Sequence, residues 1–482
     1  MLNRKLLEVL RHLGTLEKKR LRLFLLSPYF NSTSAADDIV RLYDLIVQYD
    51  ADEECQELSK ESVFGIFFPD RVFKENTKSP LDSMTTDLFA LVRRFLAQTE
   101  LERESGEVEE HLALAKFYRK FAYEERFWQV IGSLRKVHEK SPWRDARHYF
   151  KQFKIEEEEL SFRSLYNSFE DDVNLIAVHT NLDRYYSIMK LDFACALTYQ
   201  GQFAPIEMPP SIVPVEELLN QVSNGGPFDL PVNHIYKLLM QMLRGSATEE
   251  NLHALEHLIE QYEAEVPFEK RKEFSAYHQF LWTQLYSTSG NDQSLQNTFA
   301  VYKKHLEMGY CYFDDMLPLT DFRNLTIIGL KLGEVEWVKN FLDRHPPERI
   351  CSTRYPAEVC NLNMAEYHFY LKQYDEAQEM LSYKLFENPV FSILSDVLLV
   401  KIYFETQNEL LEFRMKALDQ KVRRAKLSQG EKNRYLNFLR KLDKIVKYTW
   451  QPRNNKREKL IEEIKSTREI IAREWLLEKL EK

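Results

Sequence analysis

The chain has 482 residues and a formal net charge of −9, with only 13 glycines and 17 prolines against 31 phenylalanines and 25 tyrosines. So few turn-forming residues argue against a many-stranded sheet protein. No segment reaches the roughly 18 uninterrupted apolar residues of a membrane span, and the five cysteines are an odd number at scattered spacing. We therefore expect an all-α protein of the reducing cytoplasm that does not enter a membrane.

Residues 1–105 are predicted to form an N-terminal helical unit. Apolar residues follow the helical period over about 3–26, 36–49 and 59–68, and most clearly over 81–98. Ser-Pro-Tyr-Phe-Asn at 27–31 and Phe-Phe-Pro at 67–69 end two of these helices. The two stops and the fourth helix together resemble the front end of uncharacterised bacterial helical-repeat proteins, a resemblance that implies no activity.

Residues 106–200 are predicted to form a helical hairpin array. This stretch is rich in aromatic residues at helical spacing, a pattern that is far more typical of a core than of a cofactor site. A Pro/Gly-rich seam follows at 201–228, where four prolines precede the turn sequence Asn-Gly-Gly-Pro at 224–227. The seam is the predicted hinge or domain boundary.

Residues 229–425 are predicted to form paired helices, most clearly at 358–391. Leu362, Ala365 and Phe369 form one apolar stripe. A second stripe consists of Tyr374, Ala377, Leu381 and Leu385, and Pro389 is predicted to end this helix. The two small alanines and the proline resemble the tetratricopeptide repeat (TPR). The segment departs from that family at Asn361, where an aromatic is expected, and at Ala365, where glycine is expected.

Weaker copies of this pattern precede it. Phe299, Val338 and Ala377 follow one another at intervals of 39 residues, each inside an apolar stripe. The usual TPR period is about 34, so we expect longer loops at 308–317 and 345–356. The resemblance implies antiparallel helix hairpins stacked into a TPR-like α-solenoid. An irregular helical bundle is the alternative.

Residues 426–482 are predicted to form basic C-terminal helices. Between Arg414 and Arg457 there are 15 lysines or arginines against three acidic residues, a local charge of +12. The candidate basic patch is Lys421, Arg423, Arg424 and Lys426. Such a stripe attracts acidic surfaces or phosphates, although Lys and Arg also simply solvate the outer face of a helix.

Two motif classes bear on whether the chain is an enzyme. His253, Glu256 and His257 match the zinc-peptidase pattern H-x-x-E-H, but the surrounding residues form an ordinary amphipathic helix with no strand nearby. The chain contains neither G-x-x-x-x-G-K-[ST] nor G-x-G-x-x-G, the loops that bind nucleotide phosphates. We therefore expect no enzymatic activity, no metal and no cofactor.

The sequence thus favours a non-catalytic helical-repeat scaffold that binds a protein or peptide partner in the concave face of residues 228–425. Tyrosine and asparagine exposed on the first helices of repeats often make such contacts. The candidate contact residues are Tyr236, Trp282, Asn324, Asn363, Tyr367 and Tyr370. Two alternatives are a nucleic-acid-binding or transcriptional regulatory protein that uses the basic helices, and a metal hydrolase.

Overall fold

A computed structural model of the chain describes residues 2–481 except 53, 75, 76, 78, 166–172, 203–214, 352–355, 383–385, 387, 388 and 451–453. The described residues are almost entirely helical, which confirms the all-α expectation. The chain divides into two compact units. The smaller unit contains residues 1–141 and 148–182, and the larger unit contains residues 142–147 and 183–482.

The smaller unit is built from the first helices of the chain: α1 Arg4–His12, α2 Thr15–Leu26, α3 Ala36–Gln48, α4 Lys60–Phe67, α5 Pro80–Lys120, α6 Glu124–Glu139, most of α7 Ala146–Leu165 and the start of α8 Val173–Gln200. The single helix predicted at 3–26 is wrong. It breaks before Gly14, whose amide donates to the Glu17 carboxylate at 2.8 Å and so begins α2. α5 runs beyond the predicted end at 98, with a non-helical residue at Gly106.

The larger unit contains the rest of α8 and the following helices: α9 Val215–Gln221, α10 Pro231–Gln241, α11 Glu249–Gln261, α12 Phe268–Ser289, α13 Asp292–Glu307, α14 Leu319–Lys331, α15 Val335–Arg344, α16 Pro356–Tyr370, α17 Tyr374–Ser382, α18 Pro389–Glu405, α19 Leu411–Arg424, α20 Gln429–Trp450, α21 Asn454–Ser466 and α22 Arg473–Glu481. The predicted boundaries at 105, 228 and 425 stay predictions, and residues 203–214 of the predicted seam lie outside the described residues.

Consecutive helices of the larger unit pack as pairs. α12 packs on α13, α14 on α15, α16 on α17 and α18 on α19, while α16 also contacts α14 and α18. In the predicted hairpin, Ala365 on α16 and Ala377 on α17 are fully buried in one core cluster, as small residues at a close helix packing should be. The prediction that Pro389 ends a helix is wrong, because Pro389 is the first residue of α18, where its missing amide costs nothing. Leu385 lies outside the described residues.

The two long loops predicted from the spacing are joined to each other. β1 Leu317–Pro318 pairs in parallel with β2 Ile350–Cys351, with Leu317 opposite Ile350. The loop after α13 is therefore tied to the loop after α15. Among the described residues, no helix combines the length and apolarity that crossing a membrane requires.

Candidate functional site

A cleft of about 250 Å³ lies between α13 and α15. We call it the aromatic cleft. Its lining comes from both helices and from the loops that follow them: Lys303, Leu306, Glu307, Tyr312, Trp337, Asn340, Phe341, Arg344 and His345. α13 and α15 are the second helices of two neighbouring pairs, and their loops are the two that the strand pair joins.

A row of rings forms one side of the aromatic cleft and continues into the core. The Trp337 and Phe341 rings stack at an interplanar angle of 10°, with centroids 5.1 Å apart. The Phe341 ring lies 4.6 Å from His345, which in turn stacks on Tyr312 at 5.9 Å. At the other end, Phe299 meets the Trp337 ring edge-on at 5.0 Å. Such offset and edge-on contacts are favourable ring geometries, so the row is rigid. Phe299, Phe341 and His345 are buried, and Trp337 and Tyr312 are the partly exposed rings.

Hydrogen bonds fix the orientation of His345 in this row. Its Nδ1 lies 2.8 Å from the Phe341 carbonyl oxygen, and its Nε2 lies 2.9 Å from the Tyr312 hydroxyl. Burial lowers the pKa of His345, which favours the neutral ring. A neutral ring with its proton on Nδ1 satisfies both contacts, because it donates to the carbonyl and accepts from the hydroxyl. Nδ1 therefore fixes the ring to α15, and Nε2 holds the Tyr312 hydroxyl in place.

Two cations line the cleft near the ends of the ring row. The Lys303 ammonium lies 4.7 Å from the centre of the Phe299 ring, and Arg344 is the last residue of α15, next to His345. Neither cation forms an ion pair with any of the residues that the structure describes. Glu307 is the acidic residue of the lining. The cleft thus offers a stacking surface with an excess of positive charge.

The helical period of α15 explains how it serves both core and cleft. Val338 and Leu342 are buried against the core. Trp337, Asn340 and Arg344 follow at i, i+3 and i+7, so they share a second face that lines the cleft. Sequence reasoning missed this face. The available signal was Trp337, a large aromatic outside the apolar stripe of its own helix.

The predicted partner-contact residues are mostly inside the core. Tyr236 and Trp282 are fully buried, and the Trp282 indole donates to Nε2 of His278 at 2.9 Å. Asn363 is also fully buried, with its side-chain oxygen 3.3 Å from Arg323. The exposure expected for these three residues is therefore wrong, because each fills space between helices.

Of the other three candidates, Tyr367 is also buried, whereas Asn324 and Tyr370 lie nearer the surface. The Asn324 side chain donates to the Tyr302 hydroxyl at 3.1 Å, and Tyr367 is only 8% exposed. Tyr370 is 43% exposed. Of the six residues, Tyr370 is thus the one whose position best suits direct contact with a partner, and that role stays a prediction.

A second cleft, lined by α11, α12 and α13, contains part of the H-x-x-E-H pattern. Glu256 faces it and pairs with Lys304 at 2.6 Å, while His253 packs against the Trp282 ring and His257 is exposed. Nδ1 of His253 lies 3.8 Å from the Glu256 carboxylate, so one motif histidine is near the glutamate. In the part of the chain that the structure describes, no group of three His, Cys, Asp or Glu residues is placed to hold a metal ion.

The predicted basic patch is partly neutralised by the fold. Lys421 pairs with the buried carboxylate of Asp396, which also pairs with Arg414 at 3.4 Å. Arg423 pairs with Asp419 at 2.6 Å on the same helix. Arg424 and Lys426 are exposed. The four residues thus do not form a continuous unpaired cationic surface.

The same pairing continues along α20. Lys441 and Lys444 both donate to the Glu463 carboxylate on α21, at 2.9 and 2.6 Å, and these bonds hold the pKa of Glu463 well below its usual range. The aromatic cleft is therefore the better candidate for a binding site. What it binds must be argued from its own residues, because comparison of the chain with known protein families, with curated proteins and with solved structures finds no match.

Proposed function

We propose that the chain is a non-catalytic helical scaffold that binds a protein partner by taking a short segment of it into the aromatic cleft. The observation that carries the proposal is the half-exposed Trp337 stacked on Phe341 between two cations that have no acidic partner among the described residues. Tryptophan, tyrosine and arginine are the side chains that most often supply binding energy at protein interfaces.

The surrounding helices support the same proposal. α14, α16 and α18 are the first helices of successive pairs and contact one another in series, as stacked TPR-like hairpins do. In such a solenoid the cleft would lie on the side of the second helices. The proposed contact surface therefore differs from the concave face of first helices that the sequence favoured.

Binding of nucleic acid through the C-terminal helices draws less support. Salt-dependent phosphate binding needs unpaired lysine and arginine side chains, and several of these are held by Asp396, Asp419 and Glu463. The aromatic cleft combines unpaired cations with an accessible ring, which suits a polypeptide segment with an apolar side chain.

Site-specific photocrosslinking in the native cell tests the proposal. A photoreactive phenylalanine analogue replaces Asn340, which is exposed at the cleft, or Lys416, which is exposed on α19 outside it. We expect the Asn340 variant to form a covalent adduct with a distinct polypeptide. Adding Trp337→Ala to that variant should abolish the adduct, because the ring that anchors the segment is gone.

The Lys416 variant is the matched control, since its photoreactive group is equally accessible to water. An adduct that forms equally from both positions would contradict the proposal. So would an Asn340 adduct that survives Trp337→Ala. Circular dichroism of each variant checks that the helices are intact.

A further inference from the structure

The arrangement of charge and rings in the aromatic cleft restricts what can bind there. Lys303 lies over Phe299 at the start of the ring row, and Arg344 lies next to His345 near its end. The ring between them that is partly exposed is Trp337, which stacks on the buried Phe341. Positive charge therefore lies on both sides of an apolar surface.

Resting on the proposed function, we infer that the occupant is an acidic peptide segment in which an apolar or aromatic side chain lies between carboxylates. The apolar side chain packs on the partly exposed Trp337 ring, which stacks on the buried Phe341. The carboxylates, from Asp, Glu or a chain terminus, approach Lys303 and Arg344. Arg344 suits this role because its planar guanidinium can bind a carboxylate through two parallel hydrogen bonds.

Charge complementarity argues for this segment over a basic one. A basic segment would bring like charges against Lys303 and Arg344, which costs binding free energy. Glu307 is the opposing charge in the lining. It weakens the attraction for a carboxylate, so its removal should strengthen binding of an acidic segment and would weaken binding of a basic one.

Other polar groups of the cleft suit an extended backbone. Trp337 has an indole N–H and Asn340 has a side-chain amide, and both residues line the cleft. An indole donates one hydrogen bond, whereas an amide both donates and accepts. These groups can bind the carbonyl and amide groups that flank the anchoring side chain.

The experiment is selection of a random peptide library, displayed on phage, against the intact chain. The selected peptides are then synthesised and their affinities are measured by fluorescence anisotropy. We expect enrichment of peptides with an aromatic or leucine residue flanked by Asp or Glu. Their binding should be lost in Trp337→Ala and weakened about tenfold or more in the double variant Lys303→Glu/Arg344→Glu.

The matched control is Lys426→Glu/Arg424→Glu, which reverses one exposed lysine and one exposed arginine outside the cleft. It changes net charge by the same amount, so it should alter affinity by less than about twofold at moderate salt. Glu307→Gln should bind the same peptides more tightly. Far-ultraviolet circular dichroism and unfolding midpoints confirm that each variant is folded.

The outcomes separate the two proposals. Peptides that need Trp337 but show no acidic enrichment, and that bind the charge-reversed cleft as well as the parent, overturn the acidic segment and leave the proposed function standing. Enrichment of basic peptides does the same. Peptides that bind Trp337→Ala unchanged, or a library that yields no binder, overturn both.

Discussion

Gly329 allows a close contact between α14 and its neighbours α13 and α15. A Cβ atom on this residue of α14 would lie 2.6 Å from a methyl of Val338 on α15 and 3.3 Å from the Phe299 ring on α13. Real Cβ atoms do not tolerate the first distance, so one of these helices would have to move. The ring row of the aromatic cleft begins at Phe299 and therefore depends on this packing.

Replacing Gly329 with alanine should destabilise the larger unit. Alanine is favoured over glycine inside a helix by about 1 kcal/mol, so the intrinsic preference acts in the opposite direction. Overpacking typically costs about 1–3 kcal/mol. We expect Gly329→Ala to lower the free energy of unfolding in urea by up to about 2 kcal/mol after the helix preference is subtracted.

Gly132→Ala on α6 is the control, because a Cβ there would meet no atom within 4 Å. This variant should be neutral or more stable by up to about 1 kcal/mol. Equal stabilisation by the two substitutions would show that the contact at Gly329 relaxes without cost.

Sequence patterns predicted some individual residues and not others, for a physical reason. Ala365 and Ala377 were predicted as small residues at helix packing, and both are fully buried. Tyr236 and Trp282 were expected at the surface and are fully buried. A large aromatic residue can bury its apolar ring equally well in a core or at an interface with a partner. Its identity alone therefore does not reveal whether it faces the core or the surface.

At the scale of elements, α7 shows how charge can be part of a helix packing surface. It carries four consecutive glutamates at 156–159, and Glu156, Glu158 and Glu159 are buried. Arg135 on α6 donates to both Glu156 and Glu159, at 2.8 and 2.7 Å. The sequence alone does not reveal this packing, because Arg119 and Arg135 come from other helices and only Arg163, which pairs with Glu159, lies on α7.

Arg135→Met should therefore destabilise the smaller unit strongly. The substitution keeps an apolar side chain of similar length but leaves two buried carboxylates without this partner. Breaking a buried ion pair typically costs about 3–5 kcal/mol. Because Arg135 is itself 34% exposed, we expect about 2–3 kcal/mol in chemical denaturation, less than that full range.

Arg126→Met on the same helix is the control, since Arg126 is exposed and donates only to Gln129 within α6 among the described contacts. Its effect should stay within about 0.5 kcal/mol. If the two methionine variants were equally stable, the carboxylates of α7 would have to be solvated or paired in another way.

At the scale of the whole molecule, the uneven charge of the sequence is compensated by the fold. The +12 stretch around 414–457 receives acidic partners from outside itself, including Asp396 and Glu463. The helix pairs could be predicted because apolar periodicity is local. The aromatic cleft could not be predicted from the sequence, because Lys303, Tyr312 and Trp337 are brought together only when α13, α15 and their loops are packed.

The acid sensitivity of the larger unit should come largely from two buried histidines. His278 and His305 are almost inaccessible to water, and burial lowers their pKa values to about 4 and about 3. Both stay neutral in the folded chain, whereas an unfolded histidine takes up a proton below about pH 6.5. The two histidines thus cost the folded state no stability above pH 6.5, and the cost grows as the pH falls towards 4, because the unfolded state then binds more protons. Between pH 7 and pH 5 these two histidines together should remove up to about 4 kcal/mol of unfolding free energy. Asp321, whose pKa burial raises to about 6, offsets part of this loss, and urea denaturation measures the net change.

Comparison of two glutamine variants isolates this effect. His305→Gln removes one of these two histidines, so its loss of stability between pH 7 and pH 5 should be smaller than that of the parent chain by about 2 kcal/mol. His257→Gln removes an exposed histidine on α11 and should leave the loss unchanged. The comparison is made within each variant, so any constant cost of the substitution cancels. If His305→Gln lost as much stability over this range as the parent, the buried imidazole would not be held neutral by the fold.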